Sequence, residues 1–186
     1  FSSVVCGALV FHQKMVSEKG GGLMGRLRAE FYKMHHSFLI PFHILVPVIA
    51  SGIFLAWTRV SAGLQFSLYV QAVGIAFPML AALICAGSVE LEAPGHFQGL
   101  LMVPGKKEGA FLAKWISLQV LAFLAVMGAM VLYGIGNRLL LGDREIPFSL
   151  FLQAGLFLWL GSISLYLEHL FLNLCFSKAV SLAVST

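Results

Sequence analysis

Four stretches of the chain contain no Asp, Glu, Lys or Arg: residues 38–57, 66–89, 115–135 and 147–167. Each is a continuous apolar run. A helix crossing a hydrocarbon layer about 30 Å thick needs about 20 such residues, and every stretch reaches that length. Membrane-barrel strands would instead alternate polar and apolar positions over about 10 residues. The pattern predicts an all-α integral membrane protein, a polytopic helical bundle with complete spans at 38–57, 66–89, 115–135 and 147–172. A further apolar run at 179–186 predicts the start of a fifth.

Two segments between the apolar runs have a pattern of their own. In residues 25–36, Leu27, Phe31 and Met34 recur at i, i+4 and i+7, one face of a helix. Arg26, Arg28, Glu30 and Lys33 fall elsewhere. Such a helix can lie in the headgroup plane with its apolar side down and its arginines toward anionic lipid. In residues 90–107, Pro94 suits the first turn of a helix and Pro104-Gly105 suits its end. Phe97, Leu100 and Leu101 between them share one edge. A helix this short does not hold itself in water. It needs a bilayer surface or a protein groove to cover that edge. Glu90 and Glu92 precede it, where acidic charge favours a helix N-terminus.

Composition sharpens the class. Of the 186 residues, 59% are hydrophobic and 11% are charged, against about 25% charged in an ordinary soluble domain. A free soluble domain is nearly excluded, and a disordered chain more firmly so. The basic residues set an expected orientation. Lys14, Lys19, Arg26, Arg28 and Lys33 precede the first span, and Lys106, Lys107 and Lys114 lie between the second and third. Arg59 alone lies in the first loop, and Arg138 and Arg144 lie in the third. The excess predicts a cytoplasmic N-terminus and a cytoplasmic 90–107 segment. Topology and anionic lipid then account for the net charge of +4, so no nucleic-acid partner is expected.

Recognisable catalytic chemistry is sparse. There is no phosphate-cradling GxxxxGK[ST] loop and no HExxH. The pairs His35-His36 and Glu168-His169 are adjacent in sequence, so their side chains point about 100° apart on a helix and share no ligand face well. No metal site and no cofactor of this chain are expected. Cys6, Cys85 and Cys175 are widely spaced and read as small apolar packing residues. His43, Gln71, Gln119 and Gln153 lie inside the apolar runs. They read either as interhelical hydrogen-bonding glue or as the polar lining of a substrate path. Pro41, Pro47 and Pro78 are expected to kink their helices. Residues 1–23 read as a leader or linker ending in Gly20-Gly21-Gly22, with Met24 a possible natural start.

Residues 90–107 resemble the cytoplasmic gate segment of ABC-2-type exporter permeases. That pattern is an acidic pair, Gly, an aromatic residue, an amide, a Leu pair, then Pro and basic residues. It stands here as Glu90, Glu92, Gly95, Phe97, Gln98, Leu100, Leu101, Pro104 and Lys106-Lys107. The nearest resemblance is to permease subunits of lantibiotic self-immunity transporters, through Arg28–Lys33, Gly95–Gln98, His169–Leu172 and Phe176–Lys178, and it extends over residues 24–186. Pro94, and Gly105 ahead of the lysines, depart from the pattern. The resemblance implies six spans in the full protein and a multi-pass location in the bacterial plasma membrane. It also implies a second permease subunit, cytosolic ATPase subunits carrying ATP and Mg, and an amphipathic antimicrobial peptide as cargo. Carried onto this chain, Glu90, Glu92, Gly95, Phe97, Gln98, Leu100, Leu101 and Pro104 become the ATPase-coupling residues. Arg26, Leu27, Arg28, Phe31 and Lys33 become the interfacial helix. The reading is of a permease and not an enzyme. The alternatives are an ABC-2 permease for another peptide, lipid or polysaccharide, or a non-transporting scaffold or sensor subunit.

Overall fold

A computed structural model describes residues 23–57, 61–92, 107–140, 142, 146–176 and 178–185. The described residues contain no strand. They form six helices in chain order: α1 Leu23–His35, α2 Leu39–Ala56, α3 Ala62–Glu90, α4 Lys107–Leu140, α5 Phe148–Cys175 and α6 Lys178–Ser185. Four of these, α2 to α5, are long and apolar enough to cross a membrane, which points to a membrane protein. Almost all of the expected coupling segment and of the 1–23 leader lies outside the described residues.

The helix ends follow from local chemistry. Ser37 makes the corner between α1 and α2: its hydroxyl donates to the Met34 carbonyl at 2.7 Å and accepts the Leu39 N–H at 3.2 Å. Pro41 falls in the first turn of α2, where its missing N–H leaves no helical bond unmade. Pro47 and Pro78 sit deeper, in helices that continue past them. Gln65 closes α2 from outside. Its amide donates to the Trp57 carbonyl at 2.7 Å and to that of Phe54, both acceptors at a helix end. Beyond α4, Gly142 takes φ +67°, a left-handed conformation that glycine adopts without steric cost.

Packing places α4 centrally. It lies against α1, α2 and α5, while α3 lies mainly against α5 and touches α2 only lightly. The four long helices therefore form a ring in the order α2, α4, α5, α3, with a loose seam between α3 and α2. Where the hydrophobic effect between helices is absent, close backbone approach must supply the contact. Glycines allow it between α4 and α5. A methyl group on Gly134 would lie 3.1 Å from Cγ of Phe151, and one on Gly155 would lie 2.9 Å from Sδ of Met127.

Two apolar clusters result. One joins Met34, Leu39, Phe77, Ile84, Cys85, Leu118, Val126, Tyr166 and Leu170. The other joins Tyr69, Met130, Tyr133 and Phe151, with the rings of Tyr69 and Tyr133 stacked at 4.1 Å. A polar knot sits beside the second. The Tyr69 hydroxyl lies 2.9 Å from Oγ of Ser51 and donates to the Ala129 carbonyl at 3.1 Å, so α2, α3 and α4 meet at one carbonyl.

The helices overrun the charge-free stretches. The third span, expected at 115–135, is part of a 34-residue helix, about 51 Å long at 1.5 Å per residue. Its surplus over the hydrocarbon thickness projects the first turns, with Lys114, beyond the apolar stretch. Lys114 is thus a helical residue and not a loop residue. The second long helix starts four residues before its charge-free stretch and ends one after it, and the fourth runs eight residues past its own, three beyond the expected end of the span at 172.

Candidate functional site: a buried charge ring at the foot of α3 and α4

Helix α3 ends by presenting acids where they are least welcome. The C-terminus of a helix carries partial negative charge and leaves its last carbonyls without helical donors, and here Glu90 and Glu92 follow one another at that end. Lysines from three other elements compensate. Lys178, at the start of α6, reaches Glu90 at 2.8 Å on the exposed side. The other acid lies inside a closed ring.

In that ring Nζ of Lys33 contacts Oε1 of Glu30 at 2.8 Å and Oε1 of Glu92 at 2.7 Å. Nζ of Lys114 contacts Oε2 of Glu30 at 2.8 Å and the same Oε1 of Glu92 at 3.0 Å. Two carboxylates and two ammoniums alternate, so the net charge is zero. Side-chain exposure falls from 15% at Lys33 and 10% at Glu30 to 5% at Glu92 and 1% at Lys114. Lys114 spends its third donor on Ser88, 3.3 Å from the carbonyl and 3.4 Å from the hydroxyl, filling an acceptor at the end of α3. The neighbouring Gly87 and Val89 carbonyls take the Leu91 and Glu92 N–H groups.

Burial and charge oppose each other at these groups. Desolvation raises the Glu92 carboxyl, and the facing ammoniums of Lys114 and Lys33 outweigh it, leaving the group below its ordinary value. Desolvation lowers the Lys33 ammonium, and Glu30 and Glu92 outweigh it, leaving that group above its ordinary value. A depressed carboxyl stabilises the fold above its unfolded pKa, and this contribution is lost as pH falls through the folded value. A raised ammonium stabilises the fold below its unfolded pKa, and this is lost as pH rises through the folded value. Thermal melting of detergent-solubilised protein across pH is therefore expected to show a plateau through neutrality, a fall below the ordinary carboxylate range and a fall above the ordinary lysine range. A melting temperature that rises on acidification would contradict the ring.

The expected site residues separate into groups. Glu92 and Lys33 meet in the ring. Glu90, two residues before Glu92, stands outside it, on Lys178. Gly95, Phe97, Gln98, Leu100, Leu101 and Pro104 lie outside the described residues. In α1, Phe31 packs on the bundle cluster, Leu27 is half-buried and Arg28 is exposed. Arg26 lies across the first turn of α4, where its guanidinium occupies the place a side chain on Gly109 would take. The expected water- or lipid-facing charges of α1 therefore include two, Glu30 and Lys33, that turn into the bundle, because each finds an opposite partner there.

The four polar residues of the expected substrate path do not converge. His43 lines a cleft between α2, α3 and α4. Gln119 is buried against α5, where its amide faces the Ser162 carbonyl at 3.5 Å. Gln71 and Gln153 are exposed. His169 approaches Oγ of Ser181 at 3.0 Å, and Asn173 donates to that oxygen at 2.8 Å, pinning α6 to α5. Among the described residues, no three His, Cys, Asp or Glu side chains gather as a metal site. Cys85 is buried and Cys175 is exposed.

Glu30, Ser88 and Lys114 were not legible as site residues. Their signals were slight: an acid three residues before Lys33, and a single lysine one residue ahead of an apolar span. Comparison of the chain with protein-family models, with curated proteins and with solved structures finds no match.

Proposed function

We propose that this chain is a permease subunit of an ATP-driven exporter of the ABC-2 type, lying in the bacterial plasma membrane with its N-terminus cytoplasmic. In this reading it expels an amphipathic antimicrobial peptide of the lantibiotic kind in self-immunity, working with a second permease subunit. ATP and Mg are handled by separate cytosolic subunits, and no covalent chemistry falls to this chain.

One observation supports the reading most. The charge ring ties together both roots of the 93–106 segment, Glu92 immediately before it and Lys114 shortly after it, and fixes them to α1. A segment that receives force from a moving partner needs stiff roots. Breaking a buried ion pair leaves an uncompensated charge, so the ring resists splaying of α3 from α4. A push on the segment is then shared by the ends of α1, α3 and α4. A passive anchor has no need of so costly a junction.

The test replaces Phe97 and Leu101 by Asp, removing the apolar edge expected to dock. Co-purification of the ATPase subunit is expected to be lost while membrane insertion persists. Retained co-purification would refute the coupling role.

A further inference from the structure

Helix α5 turns one row of side chains away from the bundle: Gln153, Phe157, Leu160, Ser164, Leu167 and Phe171 are all exposed. They recur in alternating steps of four and three, the repeat of a helix–helix seam. The opposite face, with Phe151, Ser162 and Tyr166, is the one buried against the rest of the chain. A straight helix offers such a row to any neighbour, and an apolar row facing hydrocarbon needs none, since lipid tails are as apolar as leucine.

Gln153 is what sets this row apart. It lies inside a charge-free stretch, about 8 Å along α5 from Phe148 at 1.5 Å per residue. Its amide finds no hydrogen-bonding partner among the described residues. Gln71 gives the contrast: it too is exposed, but it donates to Oγ of Ser67, one turn earlier, at 3.2 Å. An amide left bare in hydrocarbon is costly, and a bond to a neighbouring helix removes that cost.

The amide also specifies what meets it. It carries donor and acceptor side by side, so its complement is another amide at the same depth. A second copy of this chain, inserted in the same orientation and related by a two-fold axis along the membrane normal, brings its own Gln153 to that depth. Each amide then donates to the other's oxygen, and a polar pair of this kind fixes the register of paired helices. Small residues allow the approach. Ser164 lies in the row, and Gly161 lies beside it with nothing within 4 Å of where its Cβ would stand. Gly155, on the inner face, is accounted for by Met127 and Met130; no such neighbour accounts for Gly161 among the described residues.

We propose that the outward face of α5 is a homodimer contact, where two copies of this chain pair in parallel along the row from Gln153 to Phe171 and the two Gln153 amides bond across the axis. The contact needs only a membrane location. It is separate from the charge ring and depends on neither a motor nor export.

The test uses the full chain alone, reconstituted in liposomes. Single cysteines are introduced after Cys6, Cys85 and Cys175 are replaced by Ala, and are oxidised with copper phenanthroline. Leu160→Cys and Leu167→Cys, on the row, are expected to give disulfide-linked dimers. Leu152→Cys, about 100° round the helix from Gln153, and Ile53→Cys, exposed on α2, are expected to stay monomeric. Dilution with lipid, read by single-molecule photobleaching of labelled chains, gives the dimer dissociation constant. Gln153→Leu is expected to raise it about tenfold, as fits an interhelical amide bond. Gln153→Asn, which keeps a self-complementary amide, is expected to raise it less. One fluorophore per particle at every dilution, the result if lipid or a further span covers this face, would overturn the proposal. Crosslinking at 152 or 53 equal to that at 160 would overturn it, as would a dissociation constant that Gln153→Leu leaves unchanged.

Discussion

Lys114→Met is expected to cost about 3–5 kcal/mol of stability, the range for removing one partner of a buried ion pair. The size follows from what remains. Glu30 and Glu92 would both stay buried, sharing Lys33 alone, and the Ser88 carbonyl would lose its donor. Methionine fills much the same volume, so loss of packing is not the cause. Thermal unfolding in detergent would show a large fall in the midpoint. Removing both partners together, Lys114→Met with Glu92→Gln, leaves the neutral Glu30–Lys33 pair and is expected to cost clearly less than the sum of the two single changes, a coupling that a double-mutant cycle isolates. A loss under about 1 kcal/mol, the ordinary range of an exposed pair, would mean the ring is solvated.

Phe151→Ala is the second large effect, expected at about 3 kcal/mol, the low end of the range for a buried phenylalanine in a soluble core. Phe151 is fully buried. Its ring stands edge-on to Phe66 at 4.9 Å and to Tyr133 at 5.9 Å, and Gly134 has given up a side chain to admit it. The low end is chosen because lipid tails are as apolar as the core, so truncation forfeits close contact more than transfer from water. The same melting assay reads it. Gly134→Ala in the Phe151→Ala background is expected to be milder than Gly134→Ala alone, since two of its three closest contacts are removed and only that with Phe148 remains.

The four long apolar helices were legible because hydrocarbon tolerates so few exceptions: charge-free runs of sufficient length have almost no other physical use. Their ends were not. A lysine normally marks a boundary, and Lys114 fails to mark one because Glu30, 84 positions earlier, neutralises it. Opposite charges far apart in sequence carry no local signature. The same blindness applies to α1. Spacing groups Leu27, Phe31 and Met34 on one face, but it says nothing of Glu30 and Lys33 being drawn inward by partners from α3 and α4. The interior polar residues were all visible as exceptions in apolar runs. Which way each turns depends on helix rotation, and an all-round apolar helix carries no stripe to fix it. His43 therefore points into a cleft while Gln71 and Gln153 lie on the outside. The glutamates at 90 and 92 were expected to favour the start of a following helix; in the structure they pair with lysines at the end of α3.

Photocrosslinking from position 98 in native membranes, with a benzophenone amino acid in place of Gln98, asks most directly whether the segment rooted in the charge ring is gripped from the cytosol. The expected product is a covalent adduct with a nucleotide-hydrolysing subunit, abolished when Phe97 and Leu101 are replaced by Asp. Adducts confined to lipid, or to proteins outside the cell, would contradict the central claim.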